Sequence, residues 1–210
     1  MLIGFIGAGK NARTMARHML LAGHRVVLSN SRGPHTLSET VAELGPGAAA
    51  GTREDVLNAD LVILAVNWAD ARKAVEGLQW AGQILVDATN AHADSPPDLS
   101  AAGVARSRAA LGGRTSSEIL SGWVRGARLV KSISNIPMDW ISDFSANKPR
   151  TAIFTSGDDE DAKRRVIDLL NQMGFAGIDL GSLAKGGAMQ EVGGPLSGVE
   201  LHFVRRIVRT

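Results

Sequence analysis

The sequence predicts an α/β fold in which helices flank a doubly wound, mostly parallel sheet. Short apolar runs alternate with stretches of helical spacing along the 210 residues, a pattern typical of β-α-β units. The first apolar run turns on two glycines into a helical pattern. Because 44% of the residues are hydrophobic, the chain can bury a substantial core as one domain, and we expect a small C-terminal α/β extension beside it.

Seven apolar runs are the predicted strands. They are Leu2–Ile6, Arg25–Leu28, Leu61–Val66, Ile84–Asp87, Leu129–Ile133, Ala152–Thr155 and Gly177–Leu180. Apolar residues at helical spacing predict one helix around residues 12–20 and another around residues 162–173.

Two polar residues and one long stretch complete the predicted organisation. Thr52 and Asn67 each precede a run with helical spacing, so both are predicted N-caps. The stretch from Ala91 to Ser117 contains two consecutive prolines and a glycine pair. It is predicted to be one long irregular connection, either a functional lid or mobile surface.

The glycine turn after the first strand reads Gly7-Ala8-Gly9-Lys10-Asn11-Ala12. In a Rossmann-type fold the first glycine permits the tight turn, the second lets the backbone approach a pyrophosphate, and a small third residue allows close packing. Free N–H groups at the start of the helix would then face the phosphates. We therefore expect Gly7, Ala8, Gly9, Lys10 and Asn11 to bind a dinucleotide, although an ordinary turn and a solvated Lys10 are the alternatives.

The end of the second predicted strand indicates which dinucleotide is bound. An NAD-selective site places Asp or Glu about 20 residues past the glycines, yet no acidic residue occurs between Met1 and Ser38. Instead the strand ends in Ser29-Asn30-Ser31-Arg32, with hydroxyls, an amide and a guanidinium that suit phosphate oxygens. The stretch predicts an NADP(H) site, the alternative being a polar turn.

Two later strand ends are expected to line the nicotinamide half of the same crevice. Open α/β sheets bind ligands outside the carboxyl ends of their strands. The candidates are Ala65-Val66-Asn67-Trp68 and Thr89-Asn90. Trp68 could equally be packing, and Asp87 could be a buried anchor for hydrogen bonds.

No acid–base set accompanies these motifs. The chain has no tyrosine and no cysteine, and among its histidines only His92 follows a strand end near the predicted nicotinamide half, where a surface histidine is the favoured interpretation. Lys131 lies in an apolar strand without an evident partner. We therefore assign no catalytic residue, and no His and carboxylate cluster has the spacing of metal ligands.

Composition excludes several classes of function. The absence of cysteine fits a reducing compartment. No run approaches the roughly 18 apolar residues of a membrane span, and the first residues lack the basic region of a secretory signal. The arginines are scattered without interleaved aromatics, which argues against nucleic-acid binding. We expect a cytoplasmic protein that acts on a small molecule.

Later motifs resemble a known family. The chain resembles the NADPH-dependent coenzyme F-420 reductases, that is F420H2:NADP oxidoreductases, over nearly its whole length. The residues that carry the resemblance are Gly7-Ala8-Gly9, Ser29 to Arg32, Val130 to Pro137, Thr155-Ser156-Gly157-Asp158-Asp159 and Asp179-Leu180-Gly181-Ser182-Leu183. The resemblance implies a hydride passed directly between nicotinamide C4 and a flavin or deazaflavin C5, which needs proximity more than a side-chain base.

The resemblance also implies an acceptor pocket and a division of the chain. Coenzyme F-420 or FMN would be the substrate, and a homodimer the expected assembly. The substrate pocket is expected at Asn135, Ile136, Pro137 and Met138. An apolar floor for the ring is expected from Ile136, Pro137, Met138 and Trp140, with an ordinary core cluster as the alternative. Residues 1–135 would form the NADP-binding domain and residues 136–210 a small substrate and dimerisation region.

The sequence departs from the family and leaves two rival functions open. Residues 181–198 are unusually rich in glycine, and Asn135 stands where some family members have histidine. One rival is an NADP(H)-binding redox sensor without turnover. The other is a reductase of another small substrate, such as an imine or a 3-hydroxyacid, although the reductases of those substrates have longer chains with a large helical dimerisation domain.

Overall fold

The computed structural model describes residues 1–134, 137–141 and 149–204. Its strands are β1 (Leu2–Ile6), β2 (Arg25–Ser29), β3 (Ala48–Ala50), β4 (Leu61–Leu64), β5 (Ile84–Asp87), β6 (Arg128–Ser132), β7 (Arg150–Gly157), β8 (Ala176–Asp179) and β9 (His202–Phe203). Its α-helices are α1 (Lys10–Leu21), α2 (Ser38–Leu44), α3 (Trp68–Val75), α4 (Ala101–Ala110), α5 (Ser116–Trp123), α6 (Glu160–Gln172) and α7 (Lys185–Gln190).

The strands form one sheet in the order β3-β2-β1-β4-β5-β6-β7-β8, and β9 pairs with β7. All pairs from β3 to β6 are parallel. The order reverses between β1 and β4, which is the point where open α/β sheets form their ligand crevice. The predicted Rossmann-type α/β fold is confirmed.

Two hydrophobic clusters form the core. Leu61 and Ile63 of β4 belong to one cluster, whereas Val62 and Leu64 belong to the other. Because successive side chains of a strand point to opposite faces, this alternation shows that the sheet is covered on both faces. Near-continuous apolar strands are the expected sequence pattern for such a sheet.

The structure corrects the predicted irregular connection between Ala91 and Ser117. Helix α4 and the start of α5 lie within that stretch. Ser100 caps α4 by accepting a hydrogen bond from the Gly103 N–H, and Thr115 forms a reciprocal capping box with Glu118 at the start of α5. The sequence contains these capping residues, which indicate helix starts, but the prolines and the glycine pair in the same stretch favoured the prediction of an irregular connection.

Two short strands and one cap also differ from the predictions. β3 consists of three alanines and β9 of two residues, so neither shows the β-branched run that indicates a strand. Thr52 exchanges hydrogen bonds with Asp55 before a short 3-10 helix rather than an α-helix. Asn67 is the N-cap residue of α3 by position, but its side chain makes no capping bond.

The C-terminal elements extend the same sheet. β7 runs antiparallel to β6, with Val130 opposite Gly157. Arg128 of β6 forms a two-bond ion pair with Asp159, the N-cap of α6, at 2.8 and 2.6 Å. The sheet thus continues past residue 135, and the functional division at that residue stays a prediction.

Candidate functional site

The glycine turn joins β1 to α1 at the carboxyl edge of the sheet. Gly7 has a φ of +114°, and a Cβ atom there would lie 2.2 Å from the Ala65 carbonyl oxygen. No residue other than glycine fits this position without a shift of the backbone. The fold itself therefore requires Gly7.

Gly9 is a glycine for a different reason. Its φ of −72° is ordinary for any residue, and a Cβ atom there would meet no atom within 4 Å. Gly9 also lines an open cleft. The described structure gives Gly9 no packing role, so its missing side chain fits a group that occupies this space, as a pyrophosphate does in the glycine motif.

The N-terminus of α1 is free to bind an anion. No side chain caps it, and its first turn contains no acidic residue. The first N–H groups of a helix lack partners within the helix and carry partial positive charge. Lys10 is exposed and forms an ion pair with Asp139 at 2.6 Å, which solvent screens.

A cleft of about 560 Å³ lies beside the glycine turn, at the end of β2. Predicted residues that line it are Gly7, Ala8, Gly9, Ser29, Asn30, Ser31, Ala65 and Val66. The residues that sequence reasoning missed are Ile6, Arg53, Asp70, Lys73, Ala74 and Glu76. Because it lies at the end of β2, this cleft matches the predicted adenosine half, and it contains Ala65, which was predicted for the nicotinamide half and does not line the second cleft.

The residues at the end of β2 differ in how freely they can meet a ligand. Ser29 is fully buried, and its hydroxyl donates to the Phe5 carbonyl at 2.8 Å. The Asn30 side chain accepts from the Arg32 N–H and donates to the Thr36 hydroxyl, so it holds the turn in place. Ser31 and Arg32 are exposed, although Arg32 is not among the residues that line the cleft. Arg32 directly follows Ser31, which lines the cleft, so it provides an exposed positive charge at the rim of the cleft that would suit a phosphate group.

A second cleft of about 410 Å³ lies between the ends of β4 and β5. It brings together the predicted residues Asn11, Val66, Asn67, Trp68, Thr89 and Asn90. Val66, just after β4, lines both clefts, so the two are neighbours. Trp68 also stacks on Trp123 with ring centroids 5.2 Å apart, and so combines lining the cleft with packing.

His92 also lines the second cleft, which corrects its interpretation as a surface histidine. The ring is half-buried, and its Nδ1 atom has no hydrogen-bond partner among the described residues. Burial lowers the pKa of His92 below its usual value of 6.5, because the charged imidazolium loses hydration. The neutral form of the ring therefore predominates at neutral pH.

A buried polar network supports the wall formed by Thr89. The fully buried Lys131 ammonium donates to the Thr89 carbonyl at 2.6 Å and lies 3.4 Å from the Asp87 carboxylate. Asp87 also accepts hydrogen bonds from the Thr89 N–H and hydroxyl and from Ser117. The sequence interpretation that Lys131 lacks a partner was wrong, and the alternative that Asp87 anchors buried hydrogen bonds agrees with the structure.

The network continues into the glycine-rich C-terminal segment. The Ser116 hydroxyl lies 3.4 Å from the Lys131 ammonium. Both the N–H and the hydroxyl of Ser116 donate to the Glu191 carboxylate, at 2.9 and 2.5 Å. Glu191 directly follows α7, so this segment has a structural connection to the cleft wall.

The predicted acceptor pocket is described only in part. Asn135 and Ile136 lie outside the described residues. Pro137 is exposed, whereas Met138 is 6% exposed and packs in a core cluster. Just before them, Ile133 has a φ of +59°, which is strained for a β-branched residue, and the Ser134 carbonyl accepts a hydrogen bond from Asn90.

Comparison with known proteins identifies the class that this fold and site define. The model of the family "NADP oxidoreductase coenzyme F420-dependent" matches residues 2–91, which include the glycine turn and both strand ends of the second cleft. The crystal structure of a hypothetical protein from Sinorhizobium meliloti is 34% identical, with a TM-score of 0.86, and the match covers 97% of this chain and 96% of that one. The chain belongs to the F420-dependent NADP oxidoreductase-like family of NADP-binding proteins.

Two further matches are more distant. A proposed F420-dependent NADP reductase from Arthrobacter is 22% identical with a TM-score of 0.70, over 97% of this chain and 99% of that one, and shows the shared fold. The metalloreductase STEAP3 of Rattus norvegicus is 28% identical over 185 residues, or 87% of this chain. The present chain spans 34% of the length of that curated relative.

The described residues contain neither a membrane-spanning helix nor a cluster of metal ligands. None of the helices in the described part of the chain is long and apolar enough to cross a membrane. Within the same ranges, no group of three or more His, Asp or Glu residues could hold a metal ion.

Proposed function

We propose that this chain is an NADP(H)-dependent oxidoreductase that passes a hydride directly between nicotinamide C4 and a flavin or deazaflavin acceptor such as coenzyme F-420. Bound NADPH would supply the hydride, and the acceptor would take it up together with a proton from solvent. NADP-dependent oxidoreductase chemistry follows from the family, whereas the acceptor and the direct transfer are the proposal.

The open space at Gly9 is the observation that carries the proposal. It lies beside an uncapped helix N-terminus and on the first cleft, which has Val66 in common with the second cleft. A nicotinamide dinucleotide has a matching arrangement, because its adenine ring and its nicotinamide ring lie on opposite sides of the pyrophosphate. The shape and the chemistry of the described residues therefore fit NADP(H).

The residues of the second cleft would orient rings rather than transfer protons. Asn67, Thr89 and Asn90 offer amide and hydroxyl groups, and Trp68 offers an aromatic surface. The neutral form of His92 predominates at neutral pH, which makes His92 a poor proton donor. Direct transfer between closely placed rings needs positioning, and these side chains can supply it.

Turnover of NADPH with different acceptors tests the proposal. The near-ultraviolet absorbance of NADPH would be followed with coenzyme F-420, with FMN, with a ferric chelate and without an acceptor. We expect loss of absorbance with the deazaflavin or the flavin and none without an acceptor, and the Gly9→Val variant should be inactive under the same conditions. Tight binding of NADPH without loss in any mixture would contradict the proposal and indicate a redox sensor. Loss only with the ferric chelate would indicate metal reduction, the activity that the name of the curated relative states.

A further inference from the structure

Arg53 lines the adenosine-side cleft although no motif indicated it. It follows β3, and its guanidinium is held at the end of α3. One terminal nitrogen, Nη1, donates to the carbonyl oxygens of Lys73 and Ala74, both at 3.1 Å, and to that of Glu76 at 3.4 Å. The other, Nη2, lies 3.6 Å from a carboxylate oxygen of Glu54.

These contacts restrict what Arg53 can offer a ligand. A guanidinium binds phosphate through N–H groups in its plane, whereas an aromatic ring stacks on its flat face. The in-plane donors of Nη1 already meet backbone carbonyls, and Nη2 is close to Glu54. The side chain is nevertheless one-third exposed, so both the flat face and the in-plane edge formed by Nε and Nη2 are left for a ligand.

The surroundings of Arg53 favour an uncharged ring over a phosphate. The same cleft is lined by the apolar side chains of Ile6, Ala65, Val66 and Ala74. Its charged residues are Arg53 and Lys73 against Asp70 and Glu76, two of each sign. The cleft therefore has no excess of positive charge to attract an anion.

We propose that Arg53 is the stacking platform for the adenine ring of the bound dinucleotide, and that it does not bind the 2′-phosphate. This inference rests on the proposed function, because it assumes a dinucleotide in the cleft. Arg32 has the complementary role at the phosphate: it is exposed, and its guanidinium has no hydrogen bond to any described residue. Two arginines at one end of the site thus recognise two different parts of one ligand.

Binding of two adenosine fragments tests the proposal. Adenosine 5′-monophosphate and adenosine 2′,5′-bisphosphate would be titrated calorimetrically into the wild type, Arg53→Met and the matched control Arg32→Met. We expect Arg53→Met to weaken both fragments by a similar factor, roughly 2- to 30-fold, as for loss of a cation stacked on a ring. Arg32→Met should weaken the bisphosphate alone.

Other outcomes would overturn the proposal in distinguishable ways. If Arg53→Met weakens only the bisphosphate, Arg53 binds the 2′-phosphate; if it lowers the melting temperature but neither affinity, Arg53 only caps α3. If Arg53→Met does not fold, Arg53→Lys keeps a cation for the α3 carbonyls without a flat face, and it should still weaken both fragments. A wild type that binds neither fragment would contradict the proposed function itself as well as this role of Arg53.

Discussion

The Lys131 ammonium lies 2.6 Å from the Thr89 carbonyl oxygen and holds the end of β5 to β6 from inside the protein. Thr89 also lines the second cleft, so the wall of the predicted nicotinamide site rests on a fully buried charge. A buried lysine is tolerated only when carboxylates and carbonyls replace its hydration. The Asp87 carboxylate and the Thr89 carbonyl replace the hydration of Lys131.

Replacing Lys131 with methionine should destabilise the protein by about 3 to 5 kcal/mol, because Asp87 would keep a buried charge without its cation. Urea unfolding measures the loss. Lys185→Met on the exposed start of α7 is the control and should change stability by no more than about 0.5 kcal/mol. The double variant Lys131→Met with Asp87→Asn should lose less than the two single losses added together. Additive losses would show that the two side chains do not interact.

The two glycines of the turn should respond oppositely to substitution. Gly7→Ala should lower the melting temperature, because its Cβ atom would collide with the Ala65 carbonyl and its φ is positive. Gly9→Val should remain folded by circular dichroism and should lose NADPH binding, since the new side chain would fill the cleft. Normal NADPH titration by folded Gly9→Val would mean that no ligand occupies this space.

Arg32→Ala should discriminate between the two nicotinamide dinucleotides. A hydrogen bond to a charged group contributes roughly 1.5 to 3 kcal/mol, so NADPH affinity should fall by about 10- to 150-fold. NADH lacks the 2′-phosphate and should bind almost as before. The measurement is a pair of dissociation constants at fixed ionic strength, with Arg165→Ala on the exposed face of α6 as the control. Equal losses for both dinucleotides would indicate that Arg32 supports the fold.

His92→Ala should change turnover only slightly if the hydride passes directly between rings. Loss of a true acid–base group costs about 100- to 10,000-fold. Because burial lowers the pKa of His92 below 6.5, the ring loses its proton below neutral pH, and turnover should show no step from this group between about pH 7 and about pH 9. The control is His35→Ala, which is exposed and lines neither cleft. A fall of more than about 100-fold for His92→Ala alone would favour a dehydrogenase mechanism with a general base.

Short-range pattern was sufficient to predict the parts of the site that follow parallel strands. Ser31, Asn67 and Asn90 lie within three residues of the ends of runs that the sequence marks as strands, and the carboxyl ends of parallel strands meet at one edge. The helix start at Lys10 is likewise a local property of the glycine turn.

Residues placed by distant contacts could not be predicted in this way. Arg53 follows a strand of three alanines, and without that strand nothing places its side chain at the cleft. The partners of Lys131 are 42 and 44 positions away in the chain, so no spacing pattern links them. The position of Lys131 in an apolar strand was nevertheless a signal that polar partners lie nearby, because a buried charge requires partners.

The link from Glu191 through Ser116 to Lys131 affects the order in which the protein folds during its synthesis. The glycine turn is made well before Glu191, and the network behind Thr89 gains the Glu191 carboxylate only about 180 residues later in the chain. Domains generally begin to fold as they emerge, N-terminal part first. A nascent chain would therefore carry the glycine turn while the second cleft still lacks one of its supports.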